Sequence, residues 1–98
     1  MPGGGSTATG FDLDTAWRVH PRVALRPESF GALAYHYGTR RLSFLKSPQL
    51  LQVVSTLERE ACARDACRQA GVADQELPSY ARALATLADS GMIEPRGT

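Results

Sequence analysis

The hydrophobic period of this sequence changes once, at Arg41-Leu42-Ser43-Phe44-Leu45-Lys46. Upstream, apolar residues recur at every second position, the period of a half-buried strand. Downstream they recur every three to four positions, the period of a helix face. The segment lies between a turn dipeptide, Gly38-Thr39, and a helix start, Ser47-Pro48. There a hydroxyl N-cap precedes a proline at the first helical position. A chain that switches once from strands to helices predicts an α+β fold, with a sheet covered by helices on one face.

The strand half can be given a register. Val19, Pro21, Val23 and Leu25 alternate with His20, Arg22, Ala24 and Arg26, which predicts one strand over 18–26. Pro27-Glu28-Ser29 reads as a turn. Leu33, Tyr35 and Tyr37 alternate with Ala32, Ala34 and His36 in a second strand, and Arg41 to Lys46 is the third. A two-residue Gly-Thr loop of type II′ pairs Tyr37 with Arg40, Tyr35 with Leu42 and Leu33 with Phe44. A first turn centred on Glu28 pairs Val23 with Leu33 and Pro21 with Tyr35. One face then carries Val19, Val23, Leu25, Leu33, Tyr35, Tyr37, Leu42 and Phe44, and is expected to face the core. The other carries His20, Arg22, Arg26, His36, Arg41 and Ser43. The third strand lies at an edge of this antiparallel meander. Pro21, with no N–H to offer, guards the opposite edge. Arg41 to Lys46 contains neither Pro nor Gly, so its edge is a template for another extended chain.

The helical half divides at its glycines. Leu50, Leu51, Val53, Val54 and Leu57 mark a first helix from Pro48 through about Arg59. A second runs roughly from Ala61 to Ala70, with a small face of Ala63, Ala66, Cys67 and Ala70, and ends at Gly71. A third begins after Asp74, has Pro78 in its first turn, and runs through Tyr80, Ala81, Leu84, Leu87 and Ala88 to Gly91. Met92 and Ile93 pack after it, and Pro95 ends the order. The expected architecture is winged-helix-turn-helix-like: an N-terminal three-stranded antiparallel sheet packed on three C-terminal helices. Phe11, Leu13 and Trp17 anchor an entry segment. The Gly-, Ser-, Thr- and Ala-rich residues 1–10 are expected as a flexible tail, and 11–95 as a single domain.

Composition narrows the function classes. Net charge is +1, so no general attraction to nucleic acid or anionic lipid is expected. The charge is unevenly placed. Residues 1–47 hold six Lys/Arg against three acids, and 48–98 hold five Arg against seven acids. No apolar run reaches the ~18 residues of a membrane span, and residues 1–10 lack the regions of a signal peptide. A cytoplasmic location is expected. Cys62 and Cys67 on one helix would sit about 8–9 Å apart, beyond disulfide reach. His20 falls opposite His36, but no carboxylate or thiol lies near them on that face, so surface or packing histidines are expected rather than a metal pair. The chain has no GxSxG, P-loop or HExxH motif. Neither an enzyme nor a cofactor is expected. A small winged-helix DNA-binding transcriptional regulator is the alternative reading. Against it, the segment from Asp74 to Met92 sets Asp74, Glu76 and Asp89 against Arg82 alone, the wrong sign for a phosphate-lined groove.

Two segments carry a family resemblance: RRLSFLKSPQLLQVV from Arg40 to Val54, and YARALATLADSGMIEP from Tyr80 to Pro95. With the strand and helix order, they make the chain resemble the PqqD-like family of peptide-recognition domains, the recognition elements for ribosomally made, modified peptides. Within that family it is most similar to the MftB branch, the chaperones of mycofactocin biosynthesis. The resemblance covers about Phe11 to Pro95. It implies a winged-helix-like adaptor that binds the leader segment of a precursor peptide by strand addition and presents it to a radical SAM maturase. The peptide-binding strand would be Arg41, Leu42, Ser43, Phe44, Leu45 and Lys46, and the facing helix would contribute Tyr80, Ala83, Leu84 and Leu87. Arg40, Arg41 and Lys46 would suit acidic residues in a leader. The iron–sulfur cluster and SAM would belong to the partner. The resemblance implies no nucleic-acid or membrane partner, and a monomer rather than a dimer is expected.

Overall fold

A proline breaks the first expected strand in two. In the computed structural model, which describes residues 11–96, Pro21 lies in a turn closed by the Val23 amide donating to the His20 carbonyl at 2.9 Å. The strand over 18–26 is therefore two elements, β1 (Trp17–Val19) and β2 (Val23–Glu28). β1 leaves the meander and pairs antiparallel with a C-terminal strand that the sequence pattern did not suggest. β2 pairs with β3 (Gly31–His36), and β3 with β4 (Leu42–Leu45). The helices follow as α1 (Pro48–Thr56), α2 (Ala63–Gln69) and α3 (Leu77–Asp89), with 3-10 turns at Leu57–Arg59 and Asp74–Glu76. The last strand is β5 (Ile93–Pro95). The fold is α+β, with two small antiparallel sheets and three helices. The ten-residue N-terminal stretch expected as a tail lies outside the described residues.

One register is as expected and one is not. Leu33 pairs with Phe44 and Tyr35 with Leu42. The first hairpin, however, turns at Ser29-Phe30, so Val23 faces His36 and Glu28 faces Gly31. Pro27 is thus a strand residue, opposite Ala32. The Tyr37 amide donates to the Arg22 carbonyl at 2.8 Å. Antiparallel alternation then turns the nitrogen of Pro27 away from β3. The outer edge of β2 is guarded by a proline, but by Pro27 and not Pro21.

The second hairpin is not a type II′ turn. It spans four residues, Tyr37 to Arg40, and Arg40 rather than Gly38 takes the left-handed conformation, at φ 67°. The His36 carbonyl accepts from the Arg40 amide at 2.7 Å. Its Nδ1 accepts from the amides of Gly38 and Thr39 at 3.0 and 3.1 Å. A Cβ on Gly38 would lie 2.9 Å from His36 Cε1, so the imidazole closes over a position where only glycine fits.

β3 and β4 present the opposite face to the core from the one expected, whereas Val23 and Leu25 of β2 pair with His36 and Ala34 and pack against the core as expected. Ala32, Ala34 and Leu45 are fully buried, whereas Leu42 and Phe44 are 55% and 57% exposed and Tyr37 is 60% exposed. The shifted first hairpin separates Val23 and Leu25 from Leu33 and Tyr35. Within β3 and β4 alternation groups the residues correctly but does not say which group turns inward. Side-chain volume decides it. α1 packs directly on β3 and brings Leu50, Val53, Val54 and Leu57 to the core. Beneath those residues only alanine leaves room for close packing. Trp17, Leu84, Leu87, Met92 and Ile93 complete the core, and full burial of each such side chain stabilises by about 1.5–3 kcal/mol.

The ends of the chain tie the helices down. The amides of Ala63 and Arg64, orphaned at the start of α2, donate to the Thr15 and Leu13 carbonyls at 3.1 and 2.8 Å. The Arg64 guanidinium bonds to Asp14 at 2.8 Å and holds its carboxyl below the usual carboxylate range. The Arg96 guanidinium donates to the carbonyls of Leu57, Glu58 and Glu60 beyond α1. Among the described residues, no helix is long and apolar enough to cross a membrane.

Candidate functional site

The free side of β4 is defined by its hydrogen bonds. The His36 amide donates to the Arg41 carbonyl at 2.9 Å. Backbone groups in an antiparallel pair alternate in direction, so those of Arg41, Ser43 and Leu45 face β3 and those of Leu42 and Phe44 face away. β4 is the terminal strand of its sheet, and among the described residues no strand pairs with its outer edge.

α3 runs alongside that edge. The hydroxyls of Ser43 and Ser90 approach to 3.4 Å. Between strand and helix lies a groove of ≈ 360 Å³ lined by Ser43, Phe44, Lys46, Leu50, Ala83, Thr86 and Leu87. A smaller hollow of ≈ 150 Å³ extends it past Ser47 to Ser79 and Tyr80. The Tyr80 hydroxyl donates to Gln49 Oε1 at 3.0 Å, and Gln49 Nε2 donates to the Ala70 carbonyl at 2.9 Å. That chain fixes the end wall. Ser47 caps α1 by accepting from the Leu50 amide at 3.0 Å, which holds Leu50 at the groove floor.

The sequence-predicted site residues divide into three groups. Ser43, Phe44, Lys46, Ala83 and Leu87 meet in the groove, with Tyr80 at its end. Leu45 and Leu84 are fully buried in the core and face neither hollow. Leu42 is exposed on the outer face of the sheet, and Arg41 is exposed at the start of the strand. The expected commitment of Leu42 and Phe44 to the core is corrected, since both stand on the outer face of the sheet. Thr86 and Leu50 line the groove and were missed. The spacing of Thr86 from Ala83 on α3 is a usable signal for the first. Nothing in the local pattern singles out Leu50.

The outer face forms a second feature. Glu28, Phe30, Leu33, Leu42 and Phe44 line an open hollow of ≈ 570 Å³. The Phe30 and Phe44 rings meet edge-on with centroids 6.0 Å apart. Exposed apolar surface of this kind is a second candidate for a binding face.

The chemistry on offer is recognition. The groove has an apolar floor, an amide edge and one lining cation, Lys46. Among the described residues, no group of three or more His, Cys, Asp or Glu side chains could hold a metal. His20 and His36 do approach, with ring centroids 4.4 Å apart, but through the β1–β2 turn rather than as a cross-strand pair. A carboxylate lies nearby after all: Glu94 Oε1 is 3.9 Å from His20 Nε2, brought there by β5. Arg18 already binds that carboxylate at 2.6 Å. The Nδ1 atoms of both histidines accept backbone N–H bonds, which ties each ring to its own turn. Cys62 and Cys67 are both free thiols.

Comparison with known proteins gives a consistent result. The model of the Peptide chaperone MftB family matches residues 16–94. A protein of Mycobacterium tuberculosis named peptide chaperone MftB is 56% identical over 88 residues, covering 90% of this chain and 81% of that protein. Similar matches are found to proteins of the same name in Mycobacterium ulcerans, at 53% identity over 91% of this chain and 82% of that one, and in Mycolicibacterium smegmatis, at 51% over 87% and 83%. No solved structure matches the chain.

Proposed function

The chain belongs to the peptide chaperone MftB family, and from that premise we propose that it serves mycofactocin biosynthesis by holding a precursor peptide's leader segment as an added strand on β4. The carrying observation is the coincidence of an open amide edge at Leu42 and Phe44 with an apolar groove against α3. Main-chain bonds hold an extended guest with little sequence demand, and the groove reads alternate side chains. Arg41 and Lys46 flank the edge and attract acidic residues of the guest. The three helices and the β2–β4 sheet act as a winged-helix-like frame in one domain spanning 11–95. The bound leader presents the rest of the precursor to a radical SAM maturase, whose iron–sulfur cluster and SAM do the chemistry. Tethering raises the local concentration of the substrate segment, so the adaptor needs no catalytic step of its own.

The guest is a peptide and not duplex DNA. α3, the helix that would enter a DNA groove, carries only Arg82 and Asp89 as charged residues and cannot neutralise phosphates. The adaptor works in the cytoplasm as a monomer, away from membrane. Titrating labelled leader peptide and labelled duplex DNA by fluorescence anisotropy tests the reading, with amide shift mapping of the complex. Saturable peptide binding is expected, with the largest shifts at Leu42, Phe44, Ala83 and Thr86. Duplex binding without peptide binding, or peptide shifts that avoid β4 and α3, would overturn it.

A further inference from the structure

The groove and the outer face of the sheet meet at Phe44, which borders both hollows. We propose that the added strand is read on both of its faces, so that this chain selects guests with a run of consecutive apolar residues over guests with an alternating pattern. This rests on the strand-addition reading above and adds a sequence rule to it.

A strand laid against β4 continues its pleat. Guest side chains level with Ser43 and Leu45 point into the groove against α3. Those level with Leu42 and Phe44 stand on the outer face. In a sheet whose outer face only meets water, the residues flanking that second set would be polar. Here they are Leu42 and Phe44, both more than half exposed. Phe30 braces Phe44 edge-on at 6.0 Å, and Leu33, the cross-strand partner of Phe44, lies behind it. The outer wall therefore exists before any guest arrives, and a cross-strand apolar neighbour is what it lacks.

The two faces ask for different side chains. The groove is narrow, with Ser43, Ala83 and Thr86 among its walls, and suits branched aliphatic groups. The outer hollow is wider and aromatic, and suits larger ones. Beside it, Arg26 occupies Glu28 at 3.1 Å, so the nearest carboxylate on the rim is already neutralised. Arg41 and Lys46 at the two ends of the edge place acidic residues outside the apolar run. The fitting guest is an extended segment with apolar residues on both parities and acids at its ends.

The test uses two short synthetic peptides with the same acidic ends. One has a continuous centre of Val and Ile, and in the other every second central residue is Ser. An alternating peptide can always slip to place its apolar set in the groove, so the pair isolates the outer face. On the wild-type chain the continuous peptide is expected to bind roughly fivefold tighter or more. On Phe44→Ser, and independently on Leu42→Ser, the ratio of the two affinities should collapse toward one. Equal affinities on the wild-type chain, or a ratio that survives both substitutions, would overturn the two-face rule while leaving strand addition standing. If neither peptide binds the wild-type chain, strand addition falls with it. Sedimentation of the same proteins supplies the remaining outcome. A wild-type dimer that Phe44→Ser dissociates, with the ratio unmoved, would make the outer face a contact between copies and overturn the proposal.

Discussion

The amide of His36 donates to the carbonyl of Arg41 across 2.9 Å, and that bond sets the direction of every amide in β4. Counting outward in an antiparallel pair, Ser43 and Leu45 bond inward to β3, and Leu42 and Phe44 offer their N–H groups to whatever lies beyond. His36 is itself held in place by the turn amides that its ring accepts. A buried histidine thus fixes the geometry of the free edge of β4.

Proline substitutions at adjacent positions should have opposite effects. Ser43→Pro removes an inward donor and strands the buried carbonyl of Ala34, its register partner. The expected cost is about 1–3 kcal/mol of stability, read as a lower urea midpoint. Phe44→Pro removes an outward N–H and should leave the fold intact. Compared with Phe44→Ser, which keeps the N–H, it should bind leader peptide about tenfold more weakly. A stable Ser43→Pro together with full binding by Phe44→Pro would mean that the edge is assigned to the wrong amides.

Gly31 locks the start of α1. A Cβ there would lie 2.0 Å from the Leu45 carbonyl oxygen and 2.8 Å from the Ser47 nitrogen, and φ is 151°. Gly31→Ala must therefore displace the junction that carries the α1 cap. A loss of about 3 kcal/mol or more is expected in denaturant unfolding, from strain and overpacking together. Leader affinity should fall as well, because Lys46 and Leu50 flank the same junction. Wild-type stability in this variant would show that the junction yields freely.

What could be read from the sequence follows the range of each interaction. Leu33↔Phe44 was legible because a short loop joins its strands. The caps at Ser47 and Gly71 were legible because capping is local. Arg18↔Glu94 was not, since the pairing of β1 with β5 joins opposite ends of the chain. The inverted face of β3 and β4 was hidden for a different reason. A period of two groups Ala32 with Ala34 and Leu33 with Tyr35, and only the bulk arriving on α1 decides that the alanines go inside. The groove was half legible. Resemblance pointed to β4 and α3, but Leu45 and Leu84 belong to the core, and Thr86 and Leu50 enter through the placement of the helices.

The two cysteines should separate chemically. Cys67 is fully buried, and burial pushes its thiol up to about 11 from an ordinary 9.0. Cys62 is partly exposed. A thiol reagent at neutral pH should label the native protein once, at Cys62, and the unfolded protein twice. The sign of the linkage is also fixed. Because the folded thiol ionises later than the unfolded one, its contribution to stability is complete below about pH 9 and declines as the pH rises toward about 11. Rapid double labelling of the native protein, or a Cys67→Ala variant with an unchanged alkaline stability profile, would contradict this.

Arg41 and Lys46 stand at the two ends of β4, both exposed. Among the described residues neither joins an ion pair, whereas Arg18, Arg26 and Arg64 are all paired with carboxylates. Free cations beside an open edge can serve two purposes. They can repel a second copy of the same edge, and they can attract an acidic guest. The guest-attracting role predicts a salt dependence. Replacing both by Gln should weaken binding of an acid-flanked leader about two- to tenfold at low ionic strength. The two proteins should converge as added salt shrinks the reach of the charges below the distance to the guest. The loss should fall mainly on the association rate, since charges near a rim steer the encounter more than they hold the complex. Parallel salt curves for the variant and the wild-type chain would leave only the repulsive role. The variant should then self-associate, which sedimentation at increasing concentration would reveal.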